Sequence, residues 1–149
     1  MAILTYLDPR LVLFVQADKR DDVLELLIDA LDKAGKLRDK ALFHEAILER
    51  EKIVSTGIGI GVAVPHAKQE GYDDFFIAIA IQKRQGIEWN AIDGAPVHLV
   101  FMIGGPDNRQ TEYLKILSRL TVAIKDEERR KKLLAATSES QVISLFEGC

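Results

Sequence analysis

The chain has 149 residues, 48% hydrophobic and 29% charged, with a net charge of −3. That balance excludes a disordered or fibrous chain, and the mild acidity offers no basic field to nucleic acid or an anionic membrane. No apolar run approaches the ~18 residues that insert across a bilayer, no secretory leader is apparent, and the single Cys149 excludes a disulfide scaffold and fits a reducing, cytoplasmic setting.

In chain order, the short apolar run Leu11–Val15, behind Asp8-Pro9, predicts a buried strand. From Lys19 the period changes: Val23, Leu24, Leu27, Ala30, Leu31 and Ala34 recur at helical spacing, and Gly35 supplies the stop. Asp39 caps a second predicted helix running to about Glu51, with Leu42, Ala46 and Ile47 inward. Phe75–Gln82 and Val97–Ile103 are continuous apolar runs suited to strands covered on both faces, the latter ended by Gly104-Gly105-Pro106. A helix follows from about Arg109 to Ile124, placing Leu114, Leu117, Leu120 and Ile124 on one face. Asp126 caps another helix, and Ser138 with Gln141 forms a capping box for the last. These elements predict one α/β domain over residues 1–149, with helices on both faces of a central sheet.

The tract Ser55–Lys68 has a different texture. If extended from Thr56, it points Ile58, Ile60, Val62 and Val64 one way and Gly57, Gly59, Gly61, Ala63 and Pro65 the other. The branched face is expected in the core. The nearly bare face suits either the close approach of another molecule or tight packing of a helix, and the residues leave both open. The glycine spacing fits neither the dinucleotide fingerprint nor the P-loop.

His66 follows at a point where Pro65 ends ladder pairing, so its imidazole is expected at a rigid strand end. Neutral imidazole is a nucleophile near pH 7 and can hold a phosphoryl group as a labile N–P intermediate. Such a group needs cations or oriented donors, for which Arg50, Ser55, Thr56, Lys68 and the backbone amides of the glycine tract are candidates. A lone histidine is also commonly structural. His44 is expected half-buried in its helix, and His44-Glu45 opens no zinc-protease motif because Leu48 stands where the second histidine is needed. His98 interrupts an apolar strand, and three histidines without ligand spacing make no metal centre. No cofactor is implied. The run Lys125–Lys132, acids first and bases a turn later, reads as a solvated helix rather than a binding surface.

Three blocks carry a resemblance: Leu48-Glu49-Arg50-Glu51, Ser55-Thr56-Gly57-Ile58-Gly59, and Val62-Ala63-Val64-Pro65-His66-Ala67-Lys68. In order and spacing they resemble the active-site signature of enzyme IIA domains of the bacterial phosphoenolpyruvate-dependent sugar phosphotransferase system, fructose/mannitol class. The similarity extends through Asp93–Phe101 to the last helix. It implies a mixed sheet between helices, a phosphohistidine at His66, and phosphocarrier protein HPr or its nitrogen-branch counterpart as donor. Arg50 matches the family's arginine beside the phosphoryl site. One position departs: where much of the family has Glu-His at the start of the helix after the third main strand, this chain has Glu112-Tyr113. A phenol donates a hydrogen bond but does not become a cation near neutrality, so acceptance at His66 is expected while onward transfer to a IIB domain is placed in doubt. The tract Gly86–Gly94 resembles the nitrogen-regulatory branch, and with the expectation of a free-standing domain and Tyr113 it favours regulation over sugar-specific relay.

Overall fold

The two long apolar runs become the central strands of the sheet. In the computed structural model, which describes residues 2–149, the elements are β1 (Val12–Phe14), α1 (Arg20–Lys33), α2 (Lys40–Ile53), β2 (Gly57–Gly59), β3 (Val62–Ala63), β4 (His66–Gln69), β5 (Phe76–Ile81), β6 (Leu99–Pro106), α3 (Gln110–Lys125), α4 (Glu127–Ala135) and α5 (Glu139–Ser144). The sheet order is β1-β5-β6-β3-β2, with β4 also paired to β6. β5 and β6 run antiparallel, whereas β1 lies parallel to β5, and β3 and β4 lie parallel to β6 in succession along its edge. This is a mixed six-stranded sheet.

Period-two alternation divides the interior in two. Ile77, Ile79, Ile81, Leu99, Phe101 and Ile103 face one way, against Ile116, Leu120 and Ile124 of α3 and the following helices. Phe76, Ala78, Ala80, Val100 and Met102 face the other, against Leu24, Leu27 and Leu31 of α1 and Phe43 and Ile47 of α2. The helices therefore cover both faces, as the sequence predicts.

Two helix faces are rotated from expectation. Leu42 is 55% exposed, and the aromatic Phe43 takes the buried position one turn before Ile47. On α3, Leu114 is 51% exposed while its neighbour Tyr113 is buried with Ile116, Leu120 and Ile124. In each case the larger aromatic side chain holds the inward position and the adjacent leucine, about 100° around the helix, turns to water. The caps form as predicted: Asp39 Oδ1 accepts from the Leu42 amide at 3.1 Å, Asp126 Oδ1 from the Glu128 amide at 3.0 Å, and Ser138 Oγ from the Gln141 amide at 3.2 Å. The return arm of the last box reaches one residue further back, Gln141 Oε1 accepting from the Thr137 amide at 2.7 Å.

The glycine tract is not one extended strand. β2 and β3 form a tight hairpin, with φ of +93° at Gly59, +54° at Ile60 and +77° at Gly61. The reversal overturns the expected faces: Ile58 and Ile60 are 43% and 45% exposed, while Gly57 and Gly59 are buried. A Cβ at 57 would stand 2.8 Å from Ala91 Cβ, and one at 59 would stand 3.0 Å from Asp93 Oδ2. The small residues thus admit the chain's own 91–93 segment, which Asp93 fixes by accepting from the Ile60 and Ala95 amides, each at 2.9 Å. Val62 and Val64 do lie in the core.

Candidate functional site

His66 opens β4, opposite Ile103 of β6, whose amide donates to the Pro65 carbonyl at 3.0 Å. Its half-buried ring places Nδ1 3.1 Å from the Val64 carbonyl oxygen. A carbonyl only accepts, so Nδ1 carries the proton and the lone pair sits on Nε2. Burial pushes the His66 pKa below the ordinary imidazole value of 6.5; the Val64 hydrogen bond resists, Arg50 and Lys68 add to the fall, and Glu51 opposes it. A neutral ring with Nε2 free is the form in which imidazole acts as a nucleophile.

Tyr113 comes from the first turn of α3. It is 5% exposed, with its ring centroid 5.6 Å from that of His66 and 6.2 Å from that of Phe75. Burial raises the phenol pKa against a smaller pull downward from Arg50, so the group is neutral near pH 7. Lys68 lies two residues beyond His66 on β4 and therefore on the same strand face. Its ammonium is 4.2 Å from the Tyr113 ring centroid and donates to Gln110 Oε1. Arg50, in the last turn of α2, donates to the Val54 carbonyl at 2.8 Å, and its charge acts on both His66 and Tyr113. His66, Arg50, Lys68 and Tyr113 are thus gathered from β4, α2 and α3.

Thr56 is placed differently from expectation. Its hydroxyl donates to the buried Glu51 carboxylate, its amide donates to Glu51 Oε2 at 3.2 Å, and Trp89 Nε1 lies 3.2 Å from Glu51 Oε1 and 3.1 Å from Thr56 Oγ1. The hydroxyl proton is committed to Glu51 and is not a donor for an incoming anion. The Thr56 carbonyl instead accepts from the Val64 amide at 3.0 Å, and the Val64 carbonyl holds His66. Thr56 thus reaches His66 through backbone atoms, and Glu51 and Trp89 stand behind it. Ser55 is likewise engaged, donating to the Trp89 carbonyl at 2.6 Å. Sequence reasoning singled out neither Glu51 nor Trp89, although both lie inside tracts that carry the family resemblance; their roles depend on a contact across 38 residues that no local pattern encodes.

The other histidines stand apart. His44 is half-buried in α2, and His98 Nδ1 donates to the Gln82 carbonyl at 2.8 Å, which engages that ring nitrogen within the fold. Among the described residues, no cluster of three or more His, Cys, Asp and Glu side chains could hold a metal ion, and no helix is long and apolar enough to cross a membrane. A free imidazole nitrogen beside two cations and a neutral aromatic wall is suited to a dianionic electrophile such as a phosphoryl group.

Residues 5–149 match the family described as phosphoenolpyruvate-dependent sugar phosphotransferase system, EIIA 2. The fructose-specific EIIABC component of Bacillus subtilis (strain 168) is 41% identical over 132 residues, which is 89% of this chain and 21% of that protein, so the chain spans about a fifth of that relative. The crystal structure of nitrogen regulatory protein IIA-Ntr from Neisseria meningitidis superposes with a TM-score of 0.89 at 28% identity, covering 97% of this chain and 98% of that one. The Escherichia coli IIA mannitol protein, in its complex with phosphorylated IIB mannitol, shares the fold with a TM-score of 0.81 at 22% identity, covering 96% and 98%. Matched over all but its first four residues, and with its fold in common with these proteins, the chain belongs to the phosphoenolpyruvate-dependent sugar phosphotransferase system EIIA 2 family.

Proposed function

We propose that this chain is a phosphocarrier that accepts a phosphoryl group on Nε2 of His66 from phospho-HPr or its nitrogen-branch counterpart, in the cytoplasm. Family membership supports phosphoryl transfer in general. The observation that carries the specific reading is the Nδ1–Val64 hydrogen bond, which leaves Nε2 as the only ring nitrogen with a free lone pair. In the transfer, the Nε2 lone pair forms the new N–P bond while the donor's N–P bond breaks and its electron pair returns to the donor ring. The donor imidazolium becomes neutral imidazole, His66 takes up the positive charge, and the proton stays on Nδ1, hydrogen-bonded to the Val64 carbonyl. Arg50, whose charge acts on His66, supplies positive potential to the oxygens that gather negative charge.

The test is incubation of the purified chain with phosphoenolpyruvate, enzyme I and HPr, followed by intact-mass measurement. One acid-labile, base-stable phosphoryl group is expected; it vanishes in His66→Ala and persists when His44 or His98 is replaced. Labelling retained by His66→Ala would overturn the reading.

For the use of that phosphoryl group we propose regulation, on the strength of Tyr113, a neutral phenol where a second imidazole would assist release to a IIB acceptor. The second reading, relay to a IIB domain in fructose-type uptake, draws on the 41% identity to the fructose-specific relative. Trapping a phosphorylated IIB acceptor from loaded protein decides for relay; phosphorylation-dependent capture of a non-transport protein decides for regulation.

A further inference from the structure

Resting on the phosphohistidine reading, we propose that Lys68 is the second phosphoryl-binding cation of the site, and that Tyr113 serves as the platform holding its ammonium beside His66. Three observations carry this. Lys68 shares the half-buried face of β4 with His66, two residues along, so both side chains leave the strand toward the same space. The ammonium is centred over the Tyr113 ring at 4.2 Å, and that ring packs against the His66 imidazole. Gln110, from the same first turn of α3, accepts from the same ammonium.

One ring therefore touches both the nucleophile and a cation. A lysine free in solvent would sample many rotamers; here an aromatic face and an amide oxygen restrict it to the side from which phosphoryl oxygens must be met. Neither anchor is anionic, so a dianionic group on Nε2 competes for the ammonium on favourable terms, and a short swing of the flexible stem brings Nζ to it. Lys68 moves no proton: it stays an ammonium, and its part is charge. On this account the charge comes from β4, while the residue at 113 supplies a surface instead of a charge, and the phenol oxygen is not what matters.

The experiment uses the full chain and a small donor, phosphoramidate, so that docking of a protein partner does not enter the rate. Loading is followed by intact mass, with thermal melts of every variant. Lys68→Gln is expected to slow loading about tenfold or more, and Lys68→Arg to restore part of the loss. Tyr113→Leu slows loading comparably, the Lys68→Gln/Tyr113→Leu double variant is little slower than either single one, and Tyr113→Phe recovers most of what Tyr113→Leu loses. Wild-type loading in Lys68→Gln, or equal losses in Tyr113→Phe and Tyr113→Leu, overturns the proposal. The Lys68 variants alter a partly exposed side chain and keep the test decisive if Tyr113→Leu fails to fold. A separate readout is the His66 titration by NMR, which moves up in Lys68→Gln as a neighbouring cation is removed. If that shift appears but the wild-type chain takes no phosphoryl group from phosphoramidate or HPr, the phosphohistidine reading has failed and the role of Lys68 falls with it. If the chain loads and Lys68→Gln loads equally well, the role of Lys68 alone has failed.

Discussion

Arg50 does two things with one guanidinium. It ties off the C-terminal end of α2 through the Val54 carbonyl, and it places a permanent charge where both His66 and Tyr113 feel it. Removing it should separate these tasks. In Arg50→Ala the hydrogen bond to Val54 is exposed and replaceable by water, so the loss of stability is expected to stay within about 1 kcal/mol. On the proposed phosphorylation of His66 the loss is expected to be larger, about 2–4 kcal/mol in the barrier, because a preorganised cation is removed from developing negative charge. Paired measurements of thermal melting and loading rate check this; a wild-type rate in a folded Arg50→Ala would remove the residue from the site. Thr56 teaches a different point about single residues. Its type and position suit a hydrogen-bond donor to phosphoryl oxygens, yet the buried Glu51 carboxylate captures its hydroxyl, so its influence on His66 passes through backbone atoms.

Among the elements, the strands were the most legible in sequence, because Phe76–Ile81 and Leu99–Pro106 are buried on both sides and so are apolar at nearly every position. The phase of the helices was less so. Leu42 and Phe43 are both apolar and adjacent, and only packing against Tyr72 and Phe76, which the sequence places 29 or more residues away, selects Phe43 for the interior. The selection is measurable: Phe43→Ala should cost about 3–5 kcal/mol by denaturant unfolding, while Leu42→Ala stays within about 0.5 kcal/mol. Comparable losses in the two variants would contradict the observed face. The β2–β3 hairpin was hidden for another reason. Glycines at 57, 59 and 61 permit both an extended strand and a reversal, and what decides is the 91–93 segment that fills the space they leave. His66 itself could be nominated from its local pattern and family signature, whereas its hydrogen bond to Val64 required the hairpin to be known.

At the scale of the whole molecule, the sheet is a wall between two separate interiors, and the site stands at the end of β4 where elements from both sides converge: α2 from one and α3 from the other. Stability should carry the mark of this half-buried imidazole. The folded ring holds its proton less tightly than the unfolded one, whose pKa is near 6.5. Between the lower folded value and 6.5 the unfolded chain binds more protons, so this contribution is complete above 6.5, is lost as pH falls below it, and levels off beneath the folded value. The melting temperature of wild type should therefore drop between pH 7.5 and pH 5.5 by more than that of His66→Gln; equal drops would mean that His66 is not the group responsible. Trp89, finally, is the only tryptophan in the chain, and its indole is hydrogen-bonded within the Glu51–Thr56 cluster that steadies the backbone leading to His66. All of the protein's indole fluorescence thus originates from one buried fluorophore linked by hydrogen bonds to the backbone that holds His66, so the molecule carries a built-in optical reporter, read without any attached dye.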